Sequence, residues 1–394
     1  GVAPHYLVKG RGSHVWDADG NEFLDYNMGI GPLSLGYCYE PVDDAIRAQL
    51  ESGITFSLMH PLEVEVAELI ASVVPNAQSV RFSKTGCDVT TAAIRLARAH
   101  TGRENVITCG YHGWHDWTIC MTDRNGGIPQ STRSMTNSFN YNDIDSLAAV
   151  INANTAAVIL EPMLFEFPAN QFLHKVRELC TKHGAILIFD EMWTGFRLAL
   201  GGAQQHFGVT ADLACYSKAI ANGMPISVLA GSSEVMAHLE KDVFFFTTFG
   251  GEALSLAASR ATIQELANKN VPAALERNGA RLRDGYNAIA RDLDMKYTRC
   301  IGMGARSMVI FDATAGDGLL VRSLLQQELI KRGILWQGMH AISYSHSDAD
   351  IDYTLAAYRE VLPMLKLAIA QGNVNAQLRG EPVQPVFRTV TGKK

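Results

Sequence analysis

AILIFDE, residues 185–191, runs five apolar residues into two carboxylates. The run is unbroken rather than alternating, so it reads as a strand covered on both faces, the usual condition of a central parallel strand. Further short runs stand at VRFS (80–83), NVITCG (105–110), AAVILEP (156–162), LACYS (213–217) and ISVLAG (226–231). Helical spacing fills the gaps between them. Val89, Ala92, Ala93, Leu96 and Ala99 share one face of a helix predicted over Val89–His100, with Gly102 placed to end it. FLHKVRELCTKHG (172–184) repeats the pattern with Val176, Leu179 and Cys180. Its Lys182 and His183 suit the negative end of the helix, and Gly184 closes it. Strands alternating with helices predict an α/β fold on a mostly parallel sheet.

Past Glu265 the pattern changes to a charged helix (278–293), a β-like run SMVIFDA (307–313) and helices over 319–332 and 348–371, which together predict a smaller α+β domain. WDADGNEFLDY (16–26) reads as a hairpin turning at Asp-Gly. The expected division is 1–55 as an N-terminal segment joined to the small domain, 56–275 as the large domain, 276–372 as the small one, and 373–394 as an extended tail. The 394 residues are 47% hydrophobic, enough for two cores, and the net charge of −6 comes without a basic stripe, which argues against nucleic acid as a partner. No apolar stretch reaches the ~20 residues of a membrane-spanning helix, and GVAPHYLVKGRG lacks a signal-peptide core. Seven scattered cysteines without a CxxC pair fit a reducing cytoplasm rather than a disulfide framework.

In an open parallel sheet ligands gather at the carboxyl ends of the strands. The residues there are Thr85-Gly86-Cys87, Tyr111-His112-Gly113, Glu161, Asp190 and Lys218. Thr85-Gly86-Cys87 enters a helix N-terminus, where free N–H groups suit a phosphate; the plainer reading is a helix capped by Asp88. Asp190 closes a buried run and needs a partner, which could be Arg197, a metal, or the protonated ring nitrogen of a cofactor. A metal is the weakest of these, because His112, His115 and Asp116 match no common zinc spacing, and His115 suits local hydrogen bonding. Lys218 is the one charge between Asp212 and Glu234. It reads either as a snorkelling side chain or as an amine for a Schiff base. Taken together, an anion cradle, an aromatic, a strand-end Asp and a Lys are what pyridoxal 5′-phosphate (PLP) requires.

VWDADGNEFLDY, GPLSLGY, RLARAHTGRENVI with the following YHG, LIFDEMWTGFRLALGGAQQHFGVTADL and TTFGGEALSLAA bring a family into view. From about Gly10 to Leu365 the chain resembles the class III aminotransferases of PLP fold type I, and is most similar to glutamate-1-semialdehyde aminomutase and its relatives. The resemblance implies an aspartate aminotransferase-like α/β fold, PLP as cofactor, no metal, and a homodimer whose interface includes the N-terminal segment. It implies that Thr85, Gly86 and Cys87 hold the phosphate, that Tyr111 and Met192 cover the two ring faces, and that Asp190 pairs with the ring nitrogen. Lys218 would form the Schiff base and shuttle the proton. Glu161 would lie on the 3-hydroxyl side, and Thr248 would reach the partner subunit's phosphate.

Four departures fall on the substrate side. Ile30 stands where aminomutases carry Trp, the segment between Tyr111 and Tyr141 is shorter than their gating loop, and MLFEFPANQF (163–172) is short and lacks the family's glycines. The segment bearing their carboxylate-binding Arg has no counterpart before Gly1, which raises the expectation of a domain cut from a longer protein. At the phosphate, Cys87 replaces the usual Thr or Ser. These changes favour a transaminase acting on a separate small-molecule amino donor and a keto or aldehyde acceptor. Racemisation, decarboxylation and aminomutation on the same cofactor are the alternatives. YHGWHDW and QGMHAISYSHSDADID resemble aminotransferase-like proteins of surface-polysaccharide and secondary-metabolite pathways. Ile30, His112, Trp114, Trp117, Glu166, His340 and Tyr344 are the expected lining of the substrate pocket.

Overall fold

Seven strands form the larger sheet of the computed structural model, which describes residues 3–384. They are β1 (Ser79–Ser83), β2 (Asn105–Cys109), β3 (Thr136–Ser138), β4 (Thr155–Leu160), β5 (Ile186–Asp190), β6 (Leu213–Tyr216) and β7 (Ser227–Gly231). Their spatial order is β1-β7-β6-β5-β4-β2-β3. All neighbours run parallel except β7, which is antiparallel to both β1 and β6. The six runs read from the sequence are all strands. β3 escaped that reading because Thr-Asn-Ser at a sheet edge carries no apolar signal.

Every residue of β4, β5, β6 and β7 is buried, which explains runs without alternation. Helix α1 (Gly86–Thr101) packs across β4, β5, β6 and β7. Its Val89, Ala93, Leu96 and Ala97 meet Ile186 and Ile188 of β5, with Leu213 and Cys215 of β6, in one apolar cluster. Side chains alternate along a strand, so Asp190 falls on the α1 side with Ile186 and Ile188. Thr85 caps α1: its Oγ1 accepts from the Asp88 N–H, and Asp88 Oδ2 accepts from the Thr85 N–H at 2.8 Å. Asp88 is thus the reciprocal member of the capping box, and Thr85, not Asp88, is the cap. Gly102 ends the helix at φ 65°. Helix α2 (Phe172–His183) packs on β4 and β5 and stops at Gly184, φ 62°.

A second compact unit holds residues 3–40, 165–167 and 268–384. Leu7–Arg11, His14–Asp17 and Glu22–Asp25 form antiparallel pairs, and Ile334–Leu335 adds in parallel beside Glu22–Asp25. The hairpin turns where Asp17 Oδ1 accepts from the N–H groups of Asp19 and Asn21. A three-stranded antiparallel sheet (Thr298–Met303, Arg306–Phe311, Met339–Ala341) and helices Val271–Asp292, Gly318–Ile330 and Asp348–Ala370 complete this unit. The hairpin joins this unit through its pairing with Ile334–Leu335, whereas Ile54 accepts a backbone hydrogen bond from Ala253 of the larger unit. The described part of the expected arm begins with a 3-10 turn at Asn375–Gln377 and then runs along Gly318–Ile330, with Arg379 N–H donating to Gln327 and Val383 N–H to Ser323; residues 385–394 lie outside the described residues. Among the described residues, no helix is long and apolar enough to cross a membrane.

The core of this second unit contains two fully buried histidines. His340 Nε2 and Nδ1 bond the hydroxyls of Tyr358 (2.8 Å) and Ser307 (3.0 Å); His346 Nδ1 accepts from the Ser343 N–H, and Nε2–H donates to Asp25 O. His340 therefore has no surface to offer a substrate, which corrects the expectation that it lines the pocket. Burial lowers both rings, to about 3 for His340 and about 4 for His346. Below pH ~6.5 the unfolded chain gains two protons that the fold excludes, so stability falls as pH falls toward those values, by up to ~4 kcal/mol between pH 7 and pH 5. Urea unfolding across this range should show a shallower pH slope in His340→Gln/His346→Gln than in the unsubstituted protein; equal slopes would refute it.

Candidate active site

Asp190 ends β5 only 3% exposed, so its charge must be met inside the protein. It is met by His112, whose ring is also buried. His112 Nδ1 lies 2.8 Å from Asp190 Oδ2, while Nε2 lies 3.1 Å from the carbonyl of Cys109. A carbonyl can only accept, so Nε2 carries a hydrogen, and a single further proton is shared between Nδ1 and Oδ2. The second Asp190 oxygen accepts from the Met192 N–H at 3.1 Å. His112, rather than Arg197, therefore meets the Asp190 carboxylate, from within the lining of the cleft.

His112 reaches Asp190 across the end of β4, which lies between β2 and β5 in the sheet. The reach depends on the turn after β2, where Gly110 (φ 103°) and Gly113 (φ 111°) take up backbone that L-residues avoid. A Cβ on Gly113 would also stand 2.6 Å from Cys87 Sγ. The neighbouring Glu191 points to the opposite side of β5. There it accepts from the Thr194 hydroxyl and from the N–H groups of Ala203 (2.9 Å) and Gln204 (3.0 Å), and burial pushes its carboxyl up to about 7.

Lys218 follows β6, the strand paired with β5 at Asp190↔Cys215. Its φ of 45° is left-handed, an uncommon conformation for a residue with a side chain, and it opens a short 3-10 turn through Ala221. The Ser217 hydroxyl donates to Ile226 O at 2.7 Å, tying this turn to the residue before β7. The Lys218 ammonium lies over the Trp193 indole, 4.0 Å from the ring centroid.

One cleft of about 180 Å³, entirely within the larger unit, brings together Gly86, Cys87, Tyr111, His112, Glu161, Asp190, Met192 and Lys218. The strand-end residues Gly113 and Ser217 also line it, as do Thr90 and Trp193, which sequence reasoning passed over. For Trp193 a signal existed: it is an aromatic three positions past a strand-end Asp. Gly86 and Cys87 occupy the first two helical positions of α1, where N–H groups have no partner within a helix. Burial pushes the Cys87 thiol and the Tyr111 phenol up, so both stay neutral.

Other expected residues lie elsewhere. Thr85 is exposed beside the cleft, as the cap of α1. Trp114 is 69% exposed, and Thr248 is exposed in a segment without helix or strand. Trp117 is a core residue whose indole N–H donates to Thr91, so it is not pocket lining; His115 Nδ1 bonds the same hydroxyl, as local satisfaction predicted. Ile30, Glu166 and Tyr344 belong to the other unit and are exposed on it. Ile30 sits there at φ 68°, a strained conformation for a β-branched residue.

The His112–Asp190 pair can be tested by a stability cycle. His112→Leu strands a buried carboxylate and should destabilise the protein by about 3–5 kcal/mol, whereas His112→Leu/Asp190→Leu, with no charge left to strand, should recover much of that loss. Chemical denaturation of both variants gives the comparison. A double variant less stable than the single one would refute the pairing.

A family model described as aminotransferase class III matches residues 2–341. The chain is 34% identical over 383 residues to a 3-aminobutyryl-CoA aminotransferase from Cloacimonas acidaminovorans, covering 93% of this chain and 91% of that protein. It is 35% identical over 388 residues to a glutamate-1-semialdehyde 2,1-aminomutase from Acetivibrio thermocellus, covering 90% of each. The solved PLP internal aldimine form of the FumI protein from Sphingopyxis superposes with a TM-score of 0.87 at 28% identity, over 93% of this chain and 90% of that one.

Proposed function

The chain belongs to the class III aminotransferases, PLP-dependent enzymes of mixed α/β fold, and from that premise we propose that it moves an amino group between two separate small molecules. The observation that carries this reading is that Lys218 and Asp190 end adjacent strands and line one cleft with the first turn of α1. The donor set fits PLP. N–H groups at Gly86 and Cys87 suit its phosphate, Tyr111 and Met192 its two ring faces, the Asp190 carboxylate its ring nitrogen, Glu161 its 3-hydroxyl side, and the Lys218 amine its aldehyde. Bound PLP supplies the electron sink and carries nitrogen from donor to acceptor.

The residues then divide the work. Asp190, oriented by its bond to His112, would hold the proton on the ring nitrogen. Lys218 Nζ would hold the cofactor through its aldehyde carbon and, when free of it, would take and return the proton on the reacting carbon. Thr248 would add a contact to the phosphate of a second copy. Phe244, Phe246 and Phe249, exposed in the same segment at 76%, 70% and 57%, support a paired surface there. Transfer between two molecules is supported by the likeness to a 3-aminobutyryl-CoA aminotransferase and by the short segment between Tyr111 and Tyr141. The comparable likeness to an aminomutase supports a second reading, rearrangement within one substrate. Seven free thiols fit a reducing cytoplasm.

Borohydride should fix PLP to Lys218 in the unsubstituted protein and not in Lys218→Ala, whose turnover should fall about 10³-fold or more. With a panel of amino donors and no acceptor, bound PLP should lose its yellow absorbance stoichiometrically as the pyridoxamine form accumulates. Catalytic turnover of one substrate without any acceptor would refute transfer between two molecules, and an isomeric amino product would then establish the aminomutase reading over racemisation or decarboxylation.

A further inference from the structure

Lys218 has two requirements that conflict. A nucleophilic amine must be neutral, yet the ammonium in this structure rests 4.0 Å from the centroid of the Trp193 ring, a position that stabilises its charge. We propose that Trp193 is a positioning residue that parks Lys218 as an ammonium in the cofactor-free cleft, so that proton loss gates covalent capture of PLP. The proposal rests on Lys218 being the residue that captures the cofactor.

The geometry makes the parking specific. Trp193 follows β5 and Lys218 follows β6, so the ring and the ammonium come from neighbouring strand ends. The left-handed backbone of Lys218 and the Ser217 tether limit where the side chain can go. Capture then requires that Nζ give a proton to solvent and form its bond to the aldehyde carbon, with the carbonyl oxygen leaving as water. Other titratable groups share the cleft: Asp190 with His112 from the ends of β5 and β2, Glu161 after β4, Cys87 at the start of α1, and Tyr111 after β2. The two acidic side chains favour the ammonium as the indole does, while His112 is engaged by Asp190. All remain in place when Trp193 alone is changed.

The sign of the shift separates this role from simple space filling. A Trp193 that merely excluded water would, on removal, let water in and raise the midpoint at which Lys218 loses its proton. Loss of a π face holding the cation lowers it. Competitive acetylation of the cofactor-free protein across pH, with Lys218 followed by mass spectrometry, reads that midpoint directly. Trp193→Leu should lower it by about half to one and a half pH units, with Trp193→Phe between. Capture of added PLP below the midpoint should quicken about 3–30-fold in Trp193→Leu, the same shift expressed as a rate. An unchanged or raised midpoint in folded Trp193→Leu and Trp193→Phe overturns the proposal. If the midpoint falls but borohydride fixes no PLP on Lys218, the parking stands and the cofactor reading fails; if PLP is fixed and the midpoint does not move, the reverse holds.

Discussion

A carboxylate buried at the end of the central strand is the constraint on which this site depends. Asp190 cannot be left alone in an apolar sheet, and the group that answers it comes from a strand two positions away. To deliver His112 there, the chain after β2 must turn through left-handed positions, and the glycines on either side of Tyr111 and His112 provide them. The same turn packs Gly113 against Cys87 and lays Tyr111 along the cleft. One electrostatic requirement thus organises the ring-nitrogen end of the site and one wall of it.

The amine end is organised by chain reversal. β7 runs against its neighbours, so the backbone leaving β6 must turn back within ten residues, and Lys218 sits at the start of that turn. Its left-handed conformation is the kind of local strain that persists where the surroundings hold it, here two strands and a side-chain tether. The phosphate end is simpler. α1 must begin where β1 ends, and the capping box of Thr85 and Asp88 fixes its start so that the next N–H groups face the cleft.

Much of this was legible because buried parallel strands write themselves as apolar runs, and their ends mark where ligands gather. Asp190, Lys218, Glu161, Tyr111 and the start of α1 were found that way. What failed to show was partnership. His112 lines the cleft as read, but its bond to Asp190 was not foreseen, and Trp117, read the same way, packs in the core. His340 looked like a ligand contact in a polar stretch, yet it is fully buried between two hydroxyls. β3 was invisible because a three-residue edge strand needs no apolar face.

By itself the sequence determined the α/β architecture and the residue types at each strand end, because hydrophobic periodicity and strand-end chemistry are local and survive without coordinates; the family came from the resemblance of ordered motifs such as LIFDEMWTGFRLALGGAQQHFGVTADL. Only the tertiary structure decided which of those residues meet. The His112–Asp190 bond, the seat of Lys218 on Trp193 and the removal of His340 from the site all depend on strand order and register. Those are set by packing across the sheet, between residues tens of positions apart, and no stretch of the chain read alone contains them.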